Sequence, residues 1–584
     1  MKKLLCCVVA LCLLASALPV LAEGAGAHTI ETRTLNFYYR DPDTVMPVEV
    51  HFIDGSDVPY LALSDWASVM YGPGDDATEG IIVPTFSMAG NVGTLTREAG
   101  YSVDFDCDAD TVRFQDFDIY MRDSSDAFMI DMIDGISTEG EDGSVRYFAR
   151  ANDASYERYG TEVTINAGDY GIDFIAEGGE CYVPMQTLSD LLMSYSYSDI
   201  YYNGEIAYVG GTDAFADENG DLTPMGEIFY SVKPHDRSQS MANFTYNELC
   251  LVLDTFYGLK DNHFITSFRE LAEETGLAED LASTDPVDAD GALYQLLNLH
   301  LDDIHTCMFM TSPASGHDAF ATFKDEYGQG QSRMFRNKQV EMYLEARDAV
   351  RPDGILPYEE FGNTAYITFD EFDTLPDGVD YYETPLSVET EEDLKNLNTI
   401  GLMIYAYQQI NRKDSPIENV VLDLSNNRGG DSQAAVYTIA AFLGVCTVNT
   451  RNTCSGARVT GNYMIDINLD GRVDEDDMLL TQKRLFCLES CCSFSCGNLV
   501  PCAFKESNVV TMLGRASGGG ACVVLPLCTA DGSSFWLSGP MQLAFLKNGA
   551  FYDIDRGAEP DFPLMQPASF YDREALTEFI NGIR

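Results

Sequence analysis

Three short stretches carry side chains whose types and order suit acyl transfer. In Ser493-Phe494-Ser495-Cys496-Gly497-Asn498 a serine with small neighbours precedes a helical pattern, the apolar run Val509–Leu513 and the glycine-rich turn Gly518-Gly519-Gly520. A hydroxyl at a helix start lies where unpaired backbone N–H groups and the positive end of the helix dipole stabilise an oxyanion. Serine before a helix is also an ordinary cap, so this turn alone does not decide. Upstream, Asp423-Leu424-Ser425-Asn426-Asn427-Arg428-Gly429-Gly430 follows the strand pattern Val420–Leu424 and leads into an Ala-rich helix capped by Asp431 or Ser432. Further upstream, Asp303-Ile304-His305-Thr306 supplies an imidazole, the side chain best suited to take a proton from serine near neutral pH. The chain has seven histidines, so one at this place is informative.

Together these stretches resemble the catalytic core of the tail-specific (C-terminal processing) serine proteases. The D-L-x-x-N-x-G-G turn of that family appears as Asp423 to Gly430, its D-x-H-T motif as Asp303 to Thr306, and its S-x-x-E motif as Ser495 to Asn498, with Asn498 in place of Glu. The branch that uses a Ser–Lys dyad keeps its lysine where Gly520 stands here. The resemblance therefore points to the histidine-using branch, tricorn-like or retinoid-binding-protein-like. It implies a crotonase-like α/β core with a largely parallel sheet. It also implies Ser495 as nucleophile, His305 as general base and acid, and an oxyanion site made by the amide of Cys496 with that of Gly429 or Gly430. Gly557-Ala558-Glu559-Pro560-Asp561 resembles a further family segment, where a carboxylate would orient the imidazole. Glu559, Asp553 and Asp555 are candidates for that role, and Asp303 is another. Pro501 is expected in the first turn of a helix starting near Asn498.

A second kind of chemistry is written in Asp466 to Asp477. Asp466, Asn468, Asp470, Asp474 and Asp477 fall at the oxygen-ligand positions of a twelve-residue EF-hand loop, Arg472 would offer its carbonyl, and Gly471 takes the sharp turn. Hard carboxylate oxygens suit Ca2+, and Leu479-Leu480 would open the helix that follows. As in dockerin modules, the last ligand is Asp rather than Glu.

The elements that must position these residues form a long, ordered chain. At 584 residues with 45% apolar and 11% aromatic content, it is large enough for several domains and is not disordered. Residues 1–22 read as a bacterial-type export signal, with Lys2-Lys3, an apolar stretch and a small-residue cleavage site after Pro19. No other stretch reaches the length of a membrane span, so a secreted or surface-associated protein is expected. A net charge of −58 excludes nucleic acid as a natural partner. The thirteen cysteines left after the leader are odd in number and irregularly spaced, which gives no disulfide framework.

In order, residues 23–234 are β-rich and contain an echo: Val58–Asp65 recurs loosely as Tyr182–Asp190, each leading into a helical pattern. This duplicated module loosely resembles the N-terminal domain of copper amine oxidases, which implies a structural or substrate-presenting role without copper chemistry. Residues 235–305 are helical, a cap ending in the histidine motif. Residues 306–584 form the catalytic core, with the calcium-loop insertion at about 460–485. The gap between His305 and the first core strand is too short for a PDZ domain. A crossover helix is expected over 391–411. The reading is an exported serine-type peptidase acting on protein or peptide substrates. Its rival is a non-catalytic ligand-binding or cell-surface interaction protein on the same fold.

Overall fold

The two halves of the N-terminal echo are neighbours in one sheet. Strands Pro59–Ala62 and Glu180–Pro184 pair antiparallel, with Val183 opposite Leu61, and run into the helices Trp66–Tyr71 (through one 3-10 turn) and Met185–Leu192. They belong to a seven-stranded sheet, beside which lies a five-stranded antiparallel sheet. Val103, Phe105, Val112 and Phe114 of the latter are buried at alternate positions, as one covered sheet face requires. The computed structural model describes residues 28–73, 83–97, 100–121, 138–139, 144–150, 155–157, 161–217, 220–479, 483–547 and 550–583. The leader at 1–22 lies outside them.

The boundary expected at 234 is crossed by backbone pairing. Phe148–Arg150 and Ser155–Glu157 pair with strand Arg458–Ile465, inside a ten-stranded sheet that also takes in Thr138–Glu139 and Val145–Arg146 and draws its other strands from residues 307–553. The N-terminal region is thus stitched into the core. Between them lies the helical stretch, opened by helix α1 (Gln239–Phe256), whose Ser238 cap accepts the Met241 N–H. After the histidine motif comes a second long helix, α2 (Gln331–Val350).

The six-stranded core sheet runs in the order β1 (Tyr358–Phe361), β2 (Thr364–Thr368), β3 (Asn419–Asp423), β4 (Arg484–Glu489), β5 (Val510–Gly514) and β6 (Phe562–Pro563). Every pairing is parallel except β1 with β2. Val420, Val421 and Leu422 are all fully buried, which is why β3 reads as a continuous apolar run and not an alternating one. The expected 391–411 helix is two helices, Glu391–Lys395 and Thr399–Ile410. Asn398 breaks it: its side chain accepts the Gly401 N–H and caps the second helix. Helix α3 (Ser432–Leu443) is capped by Asp431, which accepts the Ala434 N–H.

Two corrections concern the helix after Ser495 and the acidic loop. Helix α4 runs Cys496–Ser507, so it starts before Asn498 and carries Pro501 inside it, beyond the first turn. The Asp466–Asp477 loop ends in the short 3-10 turn Glu475–Asp477 and no helix begins at Leu479; Leu480 lies outside the described residues. Among the described residues no helix is long and apolar enough to cross a membrane.

Strand register explains where a site can form. β3 and β4 are parallel neighbours with Asp423 beside Leu488, so the loops after them leave the same sheet edge. Those loops are the Asn426 turn and the Ser495 turn. The histidine motif reaches the same place from the other sheet: strand Cys307–Met310 pairs with Ser534–Lys547, and so does Cys522–Cys528, which follows the glycine-rich turn.

Candidate active site

Ser495 is held in an unusual backbone conformation, φ 58° and ψ −125°, at the N-cap of α4. Such a conformation in a non-glycine residue costs roughly 1–3 kcal/mol and persists only where the surroundings impose it. Here they do. The Phe494 N–H donates to Asn427 O at 3.1 Å, the Ser495 N–H to Gly519 O at 3.0 Å, and the Gly518 N–H to Ser493 O at 2.7 Å. The turn is therefore sewn to the Asn426 turn on one side and to the glycine-rich turn on the other. The half-buried Ser495 side chain makes no capping bond, so its hydroxyl is not engaged as a cap.

The glycines around it are demanded by closeness. A Cβ on Gly429 (φ 108°) would lie 2.7 Å from Ser495 Cβ and 3.2 Å from its Oγ. A Cβ on Gly520 (φ 91°) would lie 2.9 Å from the Phe494 ring and from the Ser495 nitrogen. No lysine fits at 520. Asn498, standing where the family has Glu, is fully buried: Ser517 Oγ donates to its Oδ1 at 2.7 Å, and its Nδ2 donates to Ile554 O at 2.9 Å. It ties the helix after Ser495 to the segments behind it.

The amides define where negative charge can be received. The Gly429 N–H donates to Asn427 Oδ1 at 3.0 Å and is thereby occupied. The Cys496 and Gly430 amides have no protein acceptor among the described residues. Of the two glycines offered by the sequence, Gly430 keeps a donor free.

The structure brings His305 to this turn. Its ring centroid lies 4.7 Å from that of Phe494, the residue before Ser495. No hydrogen bond joins the ring to the Ser495 hydroxyl; in unliganded sites such bonds are commonly long and tighten when substrate binds. Burial pushes the His305 pKa down to about 4, and the Arg336 and Arg333 guanidiniums push the same way. The Asp303 charge and a hydrogen bond with the Cys522 backbone oppose them. The imidazole is therefore neutral, and a base, at ordinary pH.

Of the carboxylates offered as orienters, Asp303 is the one whose charge supports the imidazolium. It is fixed by three donors: the Thr306 N–H at 2.8 Å, Ser538 Oγ at 2.7 Å and Tyr257 Oη at 2.9 Å. Asp555 accepts the Gly520 N–H at 2.9 Å and braces the glycine-rich turn. Asp553 accepts from Asn262 Nδ2 at 3.1 Å. Glu559 is not brought to the imidazole. It is exposed, and the group its charge perturbs is the buried Glu489. Phe494, Tyr257, Ser538 and the α2 arginines are contributors that sequence spacing did not announce.

The acidic loop lies apart from these contacts. Asp466 accepts the Gly471 N–H at 2.6 Å and the Asp470 N–H at 3.1 Å; Asp477 accepts the amides of Ile467, Asn468 and Asp474. Asn468, Asp470 and Asp474 each accept the amide two residues on, and this includes the Arg472 N–H. Among the described residues no group of three or more His, Cys, Asp or Glu is arranged to hold a metal ion. Burial, with Asp466 and Asp474 nearby, pushes the Asp477 carboxyl up to about 6.

Comparison with known proteins bears on the core. Residues 363–564 match the family model of peptidase family S41, so the resemblance to tail-specific proteases stands and supports a peptidase. No curated protein matches the chain. Among solved structures it is similar to the photosystem II D1 C-terminal processing protease, at 19% identity over 35% of this chain and 42% of that one, with a TM-score of 0.25. It is also similar to a lipoprotein from Streptococcus agalactiae, at 13% identity over 60% of this chain and 99% of that one, TM-score 0.35. Mature CPAF aligns at 12% identity over 38% of this chain and 52% of that one, TM-score 0.26. The chain spans less than half the length of the D1 protease.

Proposed function

We propose that this S41-matching chain is an exported serine-type peptidase that cleaves protein or peptide substrates through an acyl-enzyme. Ser495 attacks the carbonyl carbon, and His305 takes its proton and later returns it to the leaving amine. The Cys496 and Gly430 amides receive the oxyanion, and Asp303 steadies the imidazole. The observation that carries this reading is the strained Ser495, whose hydroxyl makes no cap bond, at a helix start beside a neutral imidazole.

The test is labelling with a fluorophosphonate. Wild type should label, and Ser495→Ala and His305→Ala should not. Equal labelling of all three, or none of wild type, overturns the assignment and leaves the rival reading of a binding protein on the same fold.

The acidic loop is proposed to take Ca2+ as a structural ion. Two buried carboxylates, Asp466 and Asp477, raise each other's cost of ionisation, which a cation would relieve. Binding would turn carboxylate oxygens from the loop amides toward the ion, and no catalytic step depends on it.

A further inference from the structure

Helix α2 fills the interval between the histidine motif and the core sheet, and its inward face is not an ordinary apolar stripe. The C-terminal half docks conventionally: Tyr343 is fully buried with its ring 5.2 Å from Phe570, and Val340, Ala346 and Val350 pack on the same cluster. Arg333, Arg336 and Arg347 continue that face. Spacings of three and eleven residues return to one side of an α-helix, and the fourteen helical steps between the first and the last span about 21 Å.

Each arginine meets a different active-site loop. Arg333 Nη2 donates to Ile304 O at 2.9 Å and to Thr306 O at 3.4 Å, the carbonyls on either side of His305. Arg336 Nη2 donates to Cys492 O at 3.5 Å, and its guanidinium carbon lies 4.7 Å from the Phe494 ring centroid. The His305 ring centroid also lies 4.7 Å from that of Phe494. Arg347 Nη1 donates to both oxygens of Asp370 at 2.8 and 2.9 Å. Asp370 in turn accepts from Asn426 Nδ2 at 3.2 Å, and its carbonyl accepts the Arg428 N–H at 2.8 Å.

The choice of partners argues for a purpose beyond helix docking. In a chain with 93 acidic and 35 basic residues, a surface arginine finds a carboxylate easily. Arg333 and Arg336 bind backbone carbonyls of the two catalytic loops instead, and Arg336 keeps a buried Nε with no acceptor among the described residues. A planar guanidinium fixes a carbonyl in direction as well as distance, which a lysine does not.

We propose that Arg333, Arg336 and Arg347 are positioning residues, and that α2 is a bar holding the histidine loop, the serine turn and the Asn426 turn in register. This rests on the peptidase reading of the same site. The groups facing His305 are Asp303 on its own loop, Arg333 and Arg336 from α2, Phe494 from the serine turn and the Cys522 backbone; Asp555 and Tyr257 act on Asp303. Removing a guanidinium therefore both loosens the loop and favours the imidazolium.

The experiment uses the full chain with Arg333→Gln, Arg336→Gln, the two Lys variants, and Phe335→Ala as a control on the exposed face of the same helix. Each Gln variant should lower kcat roughly 10- to 100-fold with little change in KM. The acid limb of its pH profile should move up from near 4 toward the ordinary 6.5 of histidine. The Lys variants should keep the limb in place and remain slow; Phe335→Ala should change neither. Independently of activity, NMR titration of His305 in a Ser495→Ala background should show the same upward move. Wild-type rates in the Gln variants, or slow Gln variants with an unmoved His305 midpoint, overturn the proposal. A wild type that cleaves nothing while the His305 midpoint still moves in Arg336→Gln sinks the peptidase reading and leaves the bar standing.

Discussion

The serine turn and the Asp466–Asp477 loop are both short, polar and announced by residue spacing, yet they handle their polar groups in opposite ways. In the acidic loop the named side-chain ligands accept amides of the loop itself, so the segment is satisfied locally. In the serine turn the hydroxyl has no cap bond, the Cys496 amide has no acceptor among the described residues, and the backbone holds a strained φ. Backbone bonds from two other turns hold that strain in place. The serine turn stands out by what the scaffold leaves unsatisfied, and the acidic loop by what it completes.

The contrast can be broken in four ways. Ser495→Gly should abolish turnover, by roughly 10⁴-fold or more, yet raise unfolding stability by about 1 kcal/mol or more as the strain is relieved; a less stable variant, in denaturant titration, would deny that the turn is strained. Gly429→Ala should cost about 100-fold in kcat, because its methyl would press on Ser495 at 2.7 Å; unchanged kinetics would show that the turns can part without penalty.

A smaller effect is set by pH. On the proposed mechanism the active form is the neutral imidazole, so kcat/KM should stay flat as pH falls through 6.5 and drop only near pH 4, where His305 protonates. A limb at 6.5 would mean that the ring is not buried among cations as described. Smallest is the loop. Without metal, Asp477 is raised to about 6, so its protonated form favours the fold, and that contribution is lost as pH rises from the ordinary carboxylate range through 6. Saturating Ca2+ at pH 7 should therefore raise the melting temperature by a few degrees, and Asp477→Asn should cancel the rise. Coincident melts with Ca2+ and with chelator would leave the loop metal-free.

Much of the core was legible because its signals are short-range. The apolar run before Asp423, the glycines after Asn427 and the Asp431 cap each reflect a local steric or hydrogen-bonding need, and β3, the turn and α3 appear where those residues stand. Boundaries slipped where side chains chose between roles: Asn398 split a helix by capping, and α4 began at Cys496 despite Pro501. The placement of Glu559 failed for another reason. A Gly-x-x-Pro-Asp pattern marks a turn but says nothing about which side of the sheet that turn faces, and Glu559 faces solvent.

By itself the sequence determined the chemistry on offer: one serine at a helix start, one imidazole in an Asp-x-His-Thr motif, glycines where only glycine fits, and an acidic loop with evenly spaced oxygens. Only the tertiary structure decided which of these meet. Register between β3 and β4 places two turns side by side, the ten-stranded sheet delivers His305 to them, and three arginines on α2 reach loops far apart in the chain. The physical reason is that strand and turn preferences act over a few residues, whereas the meeting of His305 with Phe494 depends on the packing of two whole sheets.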